Sequence, residues 1–369
     1  MPRREILTTD VNPKDGLSRR QFVTGTLGGL ALLSAKLAHA EPAAAPATPV
    51  ARPGIERVIL DVDPGNDDAL AMLLALDAPT LHVEAVTVCP GNLGPDYAQQ
   101  VRNALYIVDI AGKSGQVPVH AGMTHSILNK PYPIASFIHG KFGLGRVEVP
   151  DVAQKADPEH AVDAIRRLVN RSPGEITIAA CGGLTNVAMA LLREPELTKK
   201  LKGLLFVGGH YATPGMAPGY NVLVDPEAAH VVLTSGVPLT LVGRDVFRND
   251  SILTDADFEH IAAFNTRRSR FFIESNDLRR TFEKKNRGTT GSTNPDPITV
   301  ATLINPAIGL RYQSLYMHVE LAGETTRGLL VYGDNIYTGQ PAPPPNVRLC
   351  VAADGAEFKR LVFATLEKS

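Results

Sequence analysis

The sequence has few cysteines and almost no net charge. Its three cysteines, Cys89, Cys181 and Cys350, match neither the spacing of zinc ligands nor a CxxC redox motif. An odd number without a disulfide framework favours buried free thiols, although one pair could bridge in an oxidising compartment. The formal net charge is -1, and the lysines and arginines are scattered along the chain. We therefore expect no nucleic-acid partner, because proteins that bind nucleic acid present a basic surface.

The N-terminal region lacks an apolar run long enough to cross a bilayer. Its mildly apolar stretch, residues 22–33, is shorter than the ~20 residues that a transmembrane helix needs. The stretch follows Arg19-Arg20 and precedes Ala38-His39-Ala40, which resembles a signal-peptide cleavage site. A twin arginine before a short apolar region resembles a twin-arginine export signal. The alternative is a single membrane anchor.

These features predict three segments. We expect a twin-arginine-type signal peptide over residues 1–40, an Ala/Pro-rich flexible leader over 41–54, and a functional domain over 55–369. The mature protein is then periplasmic or secreted, is exported already folded, and has no stable membrane association after processing.

The rest of the chain alternates strand-like and helix-like segments with short connections. Most strand-like segments are continuous apolar runs, which is typical of strands buried on both faces; they are Arg57–Asp61, Val83–Cys89, Glu175–Cys181, Gly203–Val207 and Pro238–Val242. The helix-like segments are Asp68–Leu76, Pro95–Ile110, His160–Asn170, Leu184–Leu192 and Pro226–Thr234. This alternation predicts a single doubly wound, mostly parallel α/β sheet with helices on both faces.

The last third of the sequence is less regular. Helix-like segments over Arg267–Lys285 and Asp296–Ile304 precede three strand-like runs, Ser314–Leu321, Gly328–Tyr332 and Val347–Ala352. These runs either extend the sheet or form an antiparallel edge. We predict an antiparallel C-terminal extension.

Four carboxylates stand within eight residues at the end of the first predicted strand, in the run Asp61-Val62-Asp63-Pro64-Gly65-Asn66-Asp67-Asp68. Crowded anions repel one another and resist burial, so the run favours a hard cation that neutralises them. Ligands of doubly wound sheets bind at the carboxyl ends of the strands, which is where this run lies.

The same run resembles the N-terminal fingerprint of the inosine–uridine-preferring nucleoside hydrolases. The resemblance extends from about Val58 to beyond Asp354. Further blocks occur in the family's order: Pro90-Gly91-Asn92 with Arg102-Asn103-Ala104, His139 to Gly145, Gly182-Gly183-Leu184-Thr185-Asn186, Tyr220-Asn221 with Asp225 to His230, and Asp296-Pro297.

The resemblance implies a calcium ion (Ca2+) held by the carboxylates of Asp63, Asp68 and Asp296 and by the main-chain carbonyl of Cys181. Six to eight oxygen ligands at irregular angles suit calcium better than magnesium. The resemblance also implies that Asp63 accepts the proton of the attacking water.

Further site residues are implied on the sugar side. Asp67, Asn92 and Asn221 would bind the ribose hydroxyls or position the water, and Tyr220 would line the same site. The transition state should resemble an oxocarbenium ion, as in glycoside cleavage. The family also suggests a homodimer or homotetramer.

Several of these residues have simpler explanations. Asp61 is either a supporting carboxylate or a direct ligand, and Asp67 could be no more than a helix N-cap. For Thr185 and Asn186, the simpler explanation is that they serve only their turn. Asp255 and Asp257 have the character of ordinary helix-start residues.

The sequence departs from the family pattern near the leaving group. Many members carry a histidine before the last metal aspartate, where this chain has Pro295, and proline is not an acid. His139 is the first candidate for the missing catalytic acid, since a histidine near its free pKa is the expected donor at neutral pH. His210, in the altered loop, is a second candidate, and Arg279 could hydrogen-bond the leaving group without fully donating a proton. On the base side, the family pattern leads us to expect tyrosines. This chain has Arg279, Arg280, Glu283 and Lys284 there instead. The segment 210–219 is shortened, which indicates a different or bulkier 5′ end on the substrate.

The predicted function is hydrolysis of an N-riboside to ribose and free base. One alternative is a hydrolase of the same fold for a modified or charged riboside that needs no acid. A second is a metal-loaded riboside-binding protein without turnover. A third alternative, a magnesium phosphohydrolase built on Asp61 and Asp63, is disfavoured because the sequence has no lysine-bearing phosphate motif.

Overall fold

Residues 54–209, 218–332 and 343–369 are described by a computed structural model of the protein. The predicted signal peptide and leader, apart from Gly54, lie outside the described residues, as does His210. The described residues belong to one compact unit, Val50–Ser369. Among them, no helix is both long and apolar enough to cross a membrane.

The strands in chain order are β1 (Glu56–Val62), β2 (Leu81–Val88), β3 (Val119–Ala121), β4 (Ile176–Ala180), β5 (Gly203–Val207), β6 (Leu239–Val242), β7 (Leu253–Thr254), β8 (Gly291–Ser292), β9 (Gly309–Leu315), β10 (Met317–Val319), β11 (Leu330–Tyr332) and β12 (Val347–Ala353).

The helices are α1 (Asn66–Asp77), α2 (Tyr97–Ile110), α3 (Ser136–His139), α4 (Ala161–Arg171), α5 (Thr185–Arg193), α6 (Tyr220–Val224), α7 (Pro226–Thr234), α8 (Arg244–Asn249), α9 (Asp255–Phe264), α10 (Arg267–Arg287), α11 (Pro295–Ile304) and α12 (Gly355–Leu366).

Eight strands form the central sheet, in the order β3-β2-β1-β4-β5-β6-β12-β9. All neighbouring pairs are parallel except β12 and β9, which are antiparallel. The predicted parallel sheet is confirmed, and both alternatives for its C-terminal part occur. Strand β12 extends the parallel sheet, whereas β9 forms an antiparallel edge. The pairs β7–β8 and β10–β11 form two small antiparallel sheets.

Hydrophobic cores cover both faces of the sheet. In β1, Val58, Leu60 and Val62 pack into the core that contains α1, α2, α11 and α12. Ile59 points to the opposite face, into the core built with α4, α5 and α7. Successive side chains of a strand point to opposite faces, so a strand covered on both sides must be apolar throughout. This is why the buried strands are continuous apolar runs in the sequence.

The strand order changes direction at β1, which has β2 on one side and β4 on the other. The crossover connections therefore leave the sheet on opposite faces, and a crevice opens at the carboxyl ends of β1 and β4. Asp63 directly follows β1, and Cys181 directly follows β4. The topology thus brings together two residues that are far apart in the sequence.

The predicted helix-start roles of Asp255 and Asp257 are confirmed at α9. The hydroxyl of Thr254 accepts a hydrogen bond from the amide of Asp257, and the Asp257 carboxylate accepts one from the amide of Thr254. This reciprocal pair is a capping box.

Candidate active site

Asp63 is enclosed by the loops that follow β2 and β4. Its Oδ2 accepts a hydrogen bond from the amide of Asn92 at 2.8 Å, and the residue is 1% exposed. A Cβ atom on Gly91 would lie 1.7 Å from this oxygen, and one on Gly182 would lie 2.8 Å from Oδ1. The two glycines therefore allow both loops to close around the carboxylate.

Asp68 caps the helix that carries it. Its Oδ2 accepts a hydrogen bond from the amide of Gly65 at 2.9 Å, and its Oδ1 accepts one from the amide of Asp63 at 3.1 Å. The side-chain amide of Asn92 donates to the Asp63 carbonyl at 2.9 Å and to Asp68 Oδ2 at 3.2 Å. The capping role considered for Asp67 thus belongs to Asp68. Asn92, predicted to contact ribose, ties Asp63 to Asp68.

Asp67 contacts the two residues predicted on the leaving-group side. Its Oδ2 lies 2.7 Å from Nη1 of Arg279, and its Oδ1 lies 3.8 Å from Nδ1 of His139. That Oδ1 is buried and has no hydrogen-bond partner among the described residues. The carboxylate is therefore held on one side and available on the other.

Carboxylate oxygens of Asp67, Asp68 and Asp296 lie within 4.8 Å of one another, all buried. Asp296 comes from the first turn of α11, and helix α1 supplies the other two. Asp63, a predicted ligand, is not part of this trio. Geometry alone would therefore assign Asp67 to a cation in place of Asp63.

The pKa shifts of these carboxylates group Asp63, not Asp67, with Asp68 and Asp296. Burial, followed by the charge of Asp68, raises the pKa of Asp63 well above its usual range, and burial followed by the charge of Asp67 does the same for Asp296. Burial and then Asp67 raise the pKa of Asp68 to about 7. Burial also opposes ionisation of Asp67, but the attraction of Arg279 and His139 outweighs it and lowers the pKa.

Among the described residues, the three predicted metal ligands Asp63, Asp68 and Asp296 form no ion pair. Asp61 forms none either, but two side-chain hydrogen bonds stabilise its carboxylate. Asp67 already has its counter-charge in Arg279. Buried anions without a partner are strongly unfavourable, and an all-oxygen set of this kind fits a hard cation such as Ca2+.

The fourth predicted ligand, the carbonyl oxygen of Cys181, accepts a hydrogen bond from the side-chain amide of Asn221. The same amide donates to the Val207 carbonyl at 3.3 Å. Asn221, predicted to bind ribose, therefore holds the loop that carries the predicted ligand. The thiols of Cys89, Cys181 and Cys350 are buried and free, which confirms the expectation from their number and spacing.

Two tyrosines line the site near Asp63. The hydroxyl of Tyr220, a predicted site residue, is buried without a hydrogen-bond partner among the described residues. Burial, followed by the charge of Asp63, raises the pKa of Tyr220 and that of Tyr132. Tyr132 was missed at the sequence level, because a lone tyrosine between two prolines carries no signal of its own.

His139 is the last residue of the short helix α3. Its Nδ1 accepts a hydrogen bond from the amide of Asn66 at 3.3 Å. Burial lowers its pKa to about 4; the charge of Asp67 opposes this shift and that of Arg279 adds to it. The ring is therefore neutral at neutral pH, with its proton on Nε2. This differs from the expected histidine near its free pKa, because the fold removes the ring from solvent.

Asp61 is held by neighbouring side chains, as expected of a supporting carboxylate. Its Oδ1 accepts hydrogen bonds from the Thr87 hydroxyl at 2.6 Å and from the Asn186 amide at 2.9 Å. Burial raises its pKa to about 7 against these two hydrogen bonds. Asp61 belongs to neither cluster of residues suited to a metal ion among the described residues.

The turn-only explanation of Thr185 and Asn186 is wrong. Asn186 donates to the carbonyl of Val88 at 2.9 Å and accepts from the amide of Met123 at 2.8 Å. The Thr185 hydroxyl donates to the carboxylate of Asp225 at 2.7 Å. Both side chains cross-link elements that the sequence does not place together.

Comparison with known proteins supplies the family. The family model described as inosine-uridine preferring nucleoside hydrolase matches residues 58–360. The chain is 33% identical over 318 residues to the inosine-uridine preferring nucleoside hydrolase of Crithidia fasciculata, covering 85% of this chain and 98% of that protein. It is 34% identical over 312 residues to a pyrimidine-specific ribonucleoside hydrolase of Shewanella sp., covering 84% and 95%.

Solved structures show the same likeness. A plant nucleoside hydrolase superposes with a TM-score of 0.78 at 28% identity, covering 85% of this chain and 99% of that one. The purine-preferring ribonucleoside hydrolase from Gardnerella vaginalis superposes with a TM-score of 0.76 at 29% identity, covering 85% and 98%. These relatives differ in the base that their names specify.

Proposed function

Because this chain belongs to the inosine–uridine-preferring nucleoside hydrolase family, we propose that it is a calcium-dependent, exported N-ribohydrolase of nucleosides or related N-ribosides. The family and its solved members establish the coarser statement, that the chain is an enzyme which hydrolyses an N-ribosyl bond to ribose and free base. Calcium, export and the roles of individual residues belong to the proposal.

One observation carries the choice of residues. Asp63, Asp68 and Asp296 are buried and form no ion pair among the described residues, whereas the adjacent Asp67 is paired with Arg279. The first three, with the Cys181 carbonyl, would hold Ca2+. When bound, the ion would polarise a water molecule and neutralise the buried charge.

The remaining site residues act on the sugar and the water. Asp63 takes the proton of the attacking water, since its Oδ1 is the oxygen not bound by the amide of Asn92. Asp67 accepts a hydrogen bond from a ribose hydroxyl at Oδ1, which has no hydrogen-bond partner among the described residues. Fixing the sugar against the nucleophile turns binding energy into orientation. Positive charge developing on the ring is stabilised by the surrounding carboxylates.

A second candidate is a hydrolase of a modified or charged riboside with a good leaving group. Three observations favour it: His139 is neutral, Pro295 cannot donate a proton, and Arg279 places a buried guanidinium beside Asp67. A leaving group that departs as a stable anion needs no general acid.

Export and assembly complete the proposal. The twin arginine and the Ala38-His39-Ala40 site support a periplasmic or secreted enzyme. A homodimer or homotetramer is proposed from the family alone. A cell-fractionation experiment with an Arg19→Lys, Arg20→Lys variant tests export, since retention of the variant in the cytoplasm is the expected result.

The full mature chain should be incubated with a panel of purine, pyrimidine and base-modified ribosides, with Ca2+ or with a chelator, and assayed for reducing sugar. Release that depends on Ca2+ supports the proposal. Binding of ribosides without release from any of them would instead indicate a riboside-binding protein. An Asp63→Asn variant that hydrolyses at the rate of the native protein would contradict the assigned mechanism.

A further inference from the structure

Two ionic side chains on α10, Arg279 and Glu283, are buried beside the carboxylate site. They lie one helical turn apart and are 5% and 0% exposed. Removing one partner of a buried ion pair is strongly destabilising, because the other charge is then left without compensation. Each of these two residues also contacts a segment outside α10, and those contacts identify the segments that the pair holds in place.

Arg279 reaches across to the start of α1. Its Nη1 contacts Oδ2 of Asp67 at 2.7 Å and donates to Oδ1 of Asn66 at 3.0 Å. The side-chain amide of Asn66 in turn donates to the Ile138 carbonyl at 3.1 Å, next to His139. One guanidinium thus fixes the rotamers of two consecutive residues in the acidic run.

Glu283 reaches the segment that leads into α11. It accepts hydrogen bonds from the amide and the hydroxyl of Thr293, each at 2.7 Å, and from Arg287 at 2.8 Å. Thr293 precedes Asp296 by three residues. The glutamate therefore anchors the segment that presents the most distant predicted metal ligand.

Arg279 and Glu283 also contact each other within α10, where Nε of Arg279 lies 3.7 Å from Oε1 of Glu283. We propose that Arg279 and Glu283 are positioning residues that hold Asp67 and the Thr293–Asp296 segment at a fixed distance. The ribose-binding oxygen of Asp67 is thereby presented beside the metal ligands.

This inference rests on the proposed function, because it assigns Oδ1 of Asp67 to a sugar hydroxyl. It predicts effects of opposite kind for the two residues. Loss of Arg279 removes a positive charge from the neighbourhood of the cation. Loss of the Glu283 charge leaves Asp67 as the remaining counter-charge of Arg279 and weakens the hydrogen bonds that hold Thr293. A merely structural pair would instead weaken both ligands in parallel with stability.

The test uses the full mature chain and four variants, Arg279→Gln, Arg279→Lys, Glu283→Gln and Arg270→Gln. Arg270 is the matched control, since it is exposed on the same helix and its Nη1 donates hydrogen bonds to Asn265. Calorimetry measures the affinity for Ca2+ alone. KM and kcat are measured with inosine, or a calorimetric Kd where inosine is bound without turnover.

We expect Arg279→Gln to weaken inosine binding by about tenfold or more, the equivalent of about 1.4 kcal/mol, without weakening Ca2+ binding. Glu283→Gln should weaken both. Arg279→Lys should keep the Ca2+ affinity of the native protein but not its inosine affinity, because an ammonium cannot reproduce the guanidinium geometry. Arg270→Gln should change neither.

Three results would each overturn the proposal. They are unchanged inosine affinity in Arg279→Gln, fully restored inosine affinity in Arg279→Lys, and unchanged Ca2+ affinity in Glu283→Gln. These Ca2+ measurements decide the matter even for a protein that hydrolyses no riboside, so failure of the proposed function is distinguishable from failure of the positioning pair.

Discussion

The side-chain amide of Asn221 donates a hydrogen bond to the carbonyl oxygen of Cys181. The family resemblance assigns these residues to ribose and to the metal respectively, but the structure joins them. The loop after β4 is thereby tied to the first turn of α6. Orientation of the predicted ligand carbonyl depends on the asparagine.

Replacing Asn221 by alanine should therefore affect both ligands. We expect Asn221→Ala to lower kcat/KM for a riboside by about tenfold or more and to weaken Ca2+ binding, since the Cys181 carbonyl loses a hydrogen-bond partner worth about 1–3 kcal/mol when buried. Asn286→Ala is the control, because Asn286 also donates to a backbone carbonyl but is exposed. Native Ca2+ affinity in Asn221→Ala would show that the contact does not orient the ligand.

Metal removal should destabilise the protein more at higher pH. In the metal-free protein, burial and then Asp67 raise the pKa of Asp68 to about 7. A folded-state pKa above the unfolded value contributes stability that is fully present below the unfolded pKa and is lost as pH rises through about 7. The metal-free protein is therefore expected to be more stable at about pH 5 than at about pH 8.

Thermal unfolding with Ca2+ or with a chelator measures this effect. Ligand at about 100 times its Kd stabilises by about 2.7 kcal/mol. The melting temperature with Ca2+ should exceed that with chelator by a margin that widens as pH rises. Asp68→Asn should reduce this pH-dependent widening. An equal difference at both pH values would contradict the assignment of these carboxylates to the cation.

Sequence patterns were sufficient for the main architecture and for the position of the site. Buried parallel strands are continuous apolar runs, so β1, β2, β4, β5 and β6 were predictable. The short elements β3 and α3 were not, because three or four residues have no measurable periodicity. The carboxyl ends of β1 and β4 located the site once the sheet was recognised.

The partner of each carboxylate was not predictable. Asp67 and Asp68 are adjacent and chemically identical, yet Asp68 caps α1 whereas Asp67 pairs with Arg279. That difference depends on α10 packing against α1, a contact between segments about 200 residues apart in sequence. No local pattern encodes it, so an argument from spacing left Asp67 with two roles.

Asn186 should matter for stability more than for chemistry. Its side chain links Asp61, the Val88 carbonyl and the Met123 amide. The first two hydrogen bonds are buried and the third is partly buried. We expect Asn186→Ala to lower the free energy of unfolding by about 1–3 kcal/mol, because it leaves buried groups without partners. Chemical denaturation measures the loss, and Asn170→Ala, at an exposed asparagine, should change stability by less than about 0.5 kcal/mol.

The leaving group should determine the rate of this enzyme. His139 is buried, accepts a hydrogen bond at Nδ1 from Asn66, and has a pKa of about 4, so it holds no readily transferable proton at neutral pH. Proline stands at 295, where the family resemblance leads us to expect a histidine. We expect a 4-nitrophenyl riboside, whose leaving group needs no proton, to be hydrolysed much faster than inosine.

Two variants separate an acid from a structural histidine. His139→Gln keeps an acceptor for the Asn66 amide and should reduce both rates by a similar factor. Were His139 the general acid, the variant would lose about 10²–10⁴-fold on inosine and far less on the nitrophenyl substrate. Pro295→His is the converse test: position 295 begins α11 beside Asp296, so a histidine there should raise the rate with inosine selectively. A gain on both substrates alike would indicate that protonation of the base does not limit hydrolysis.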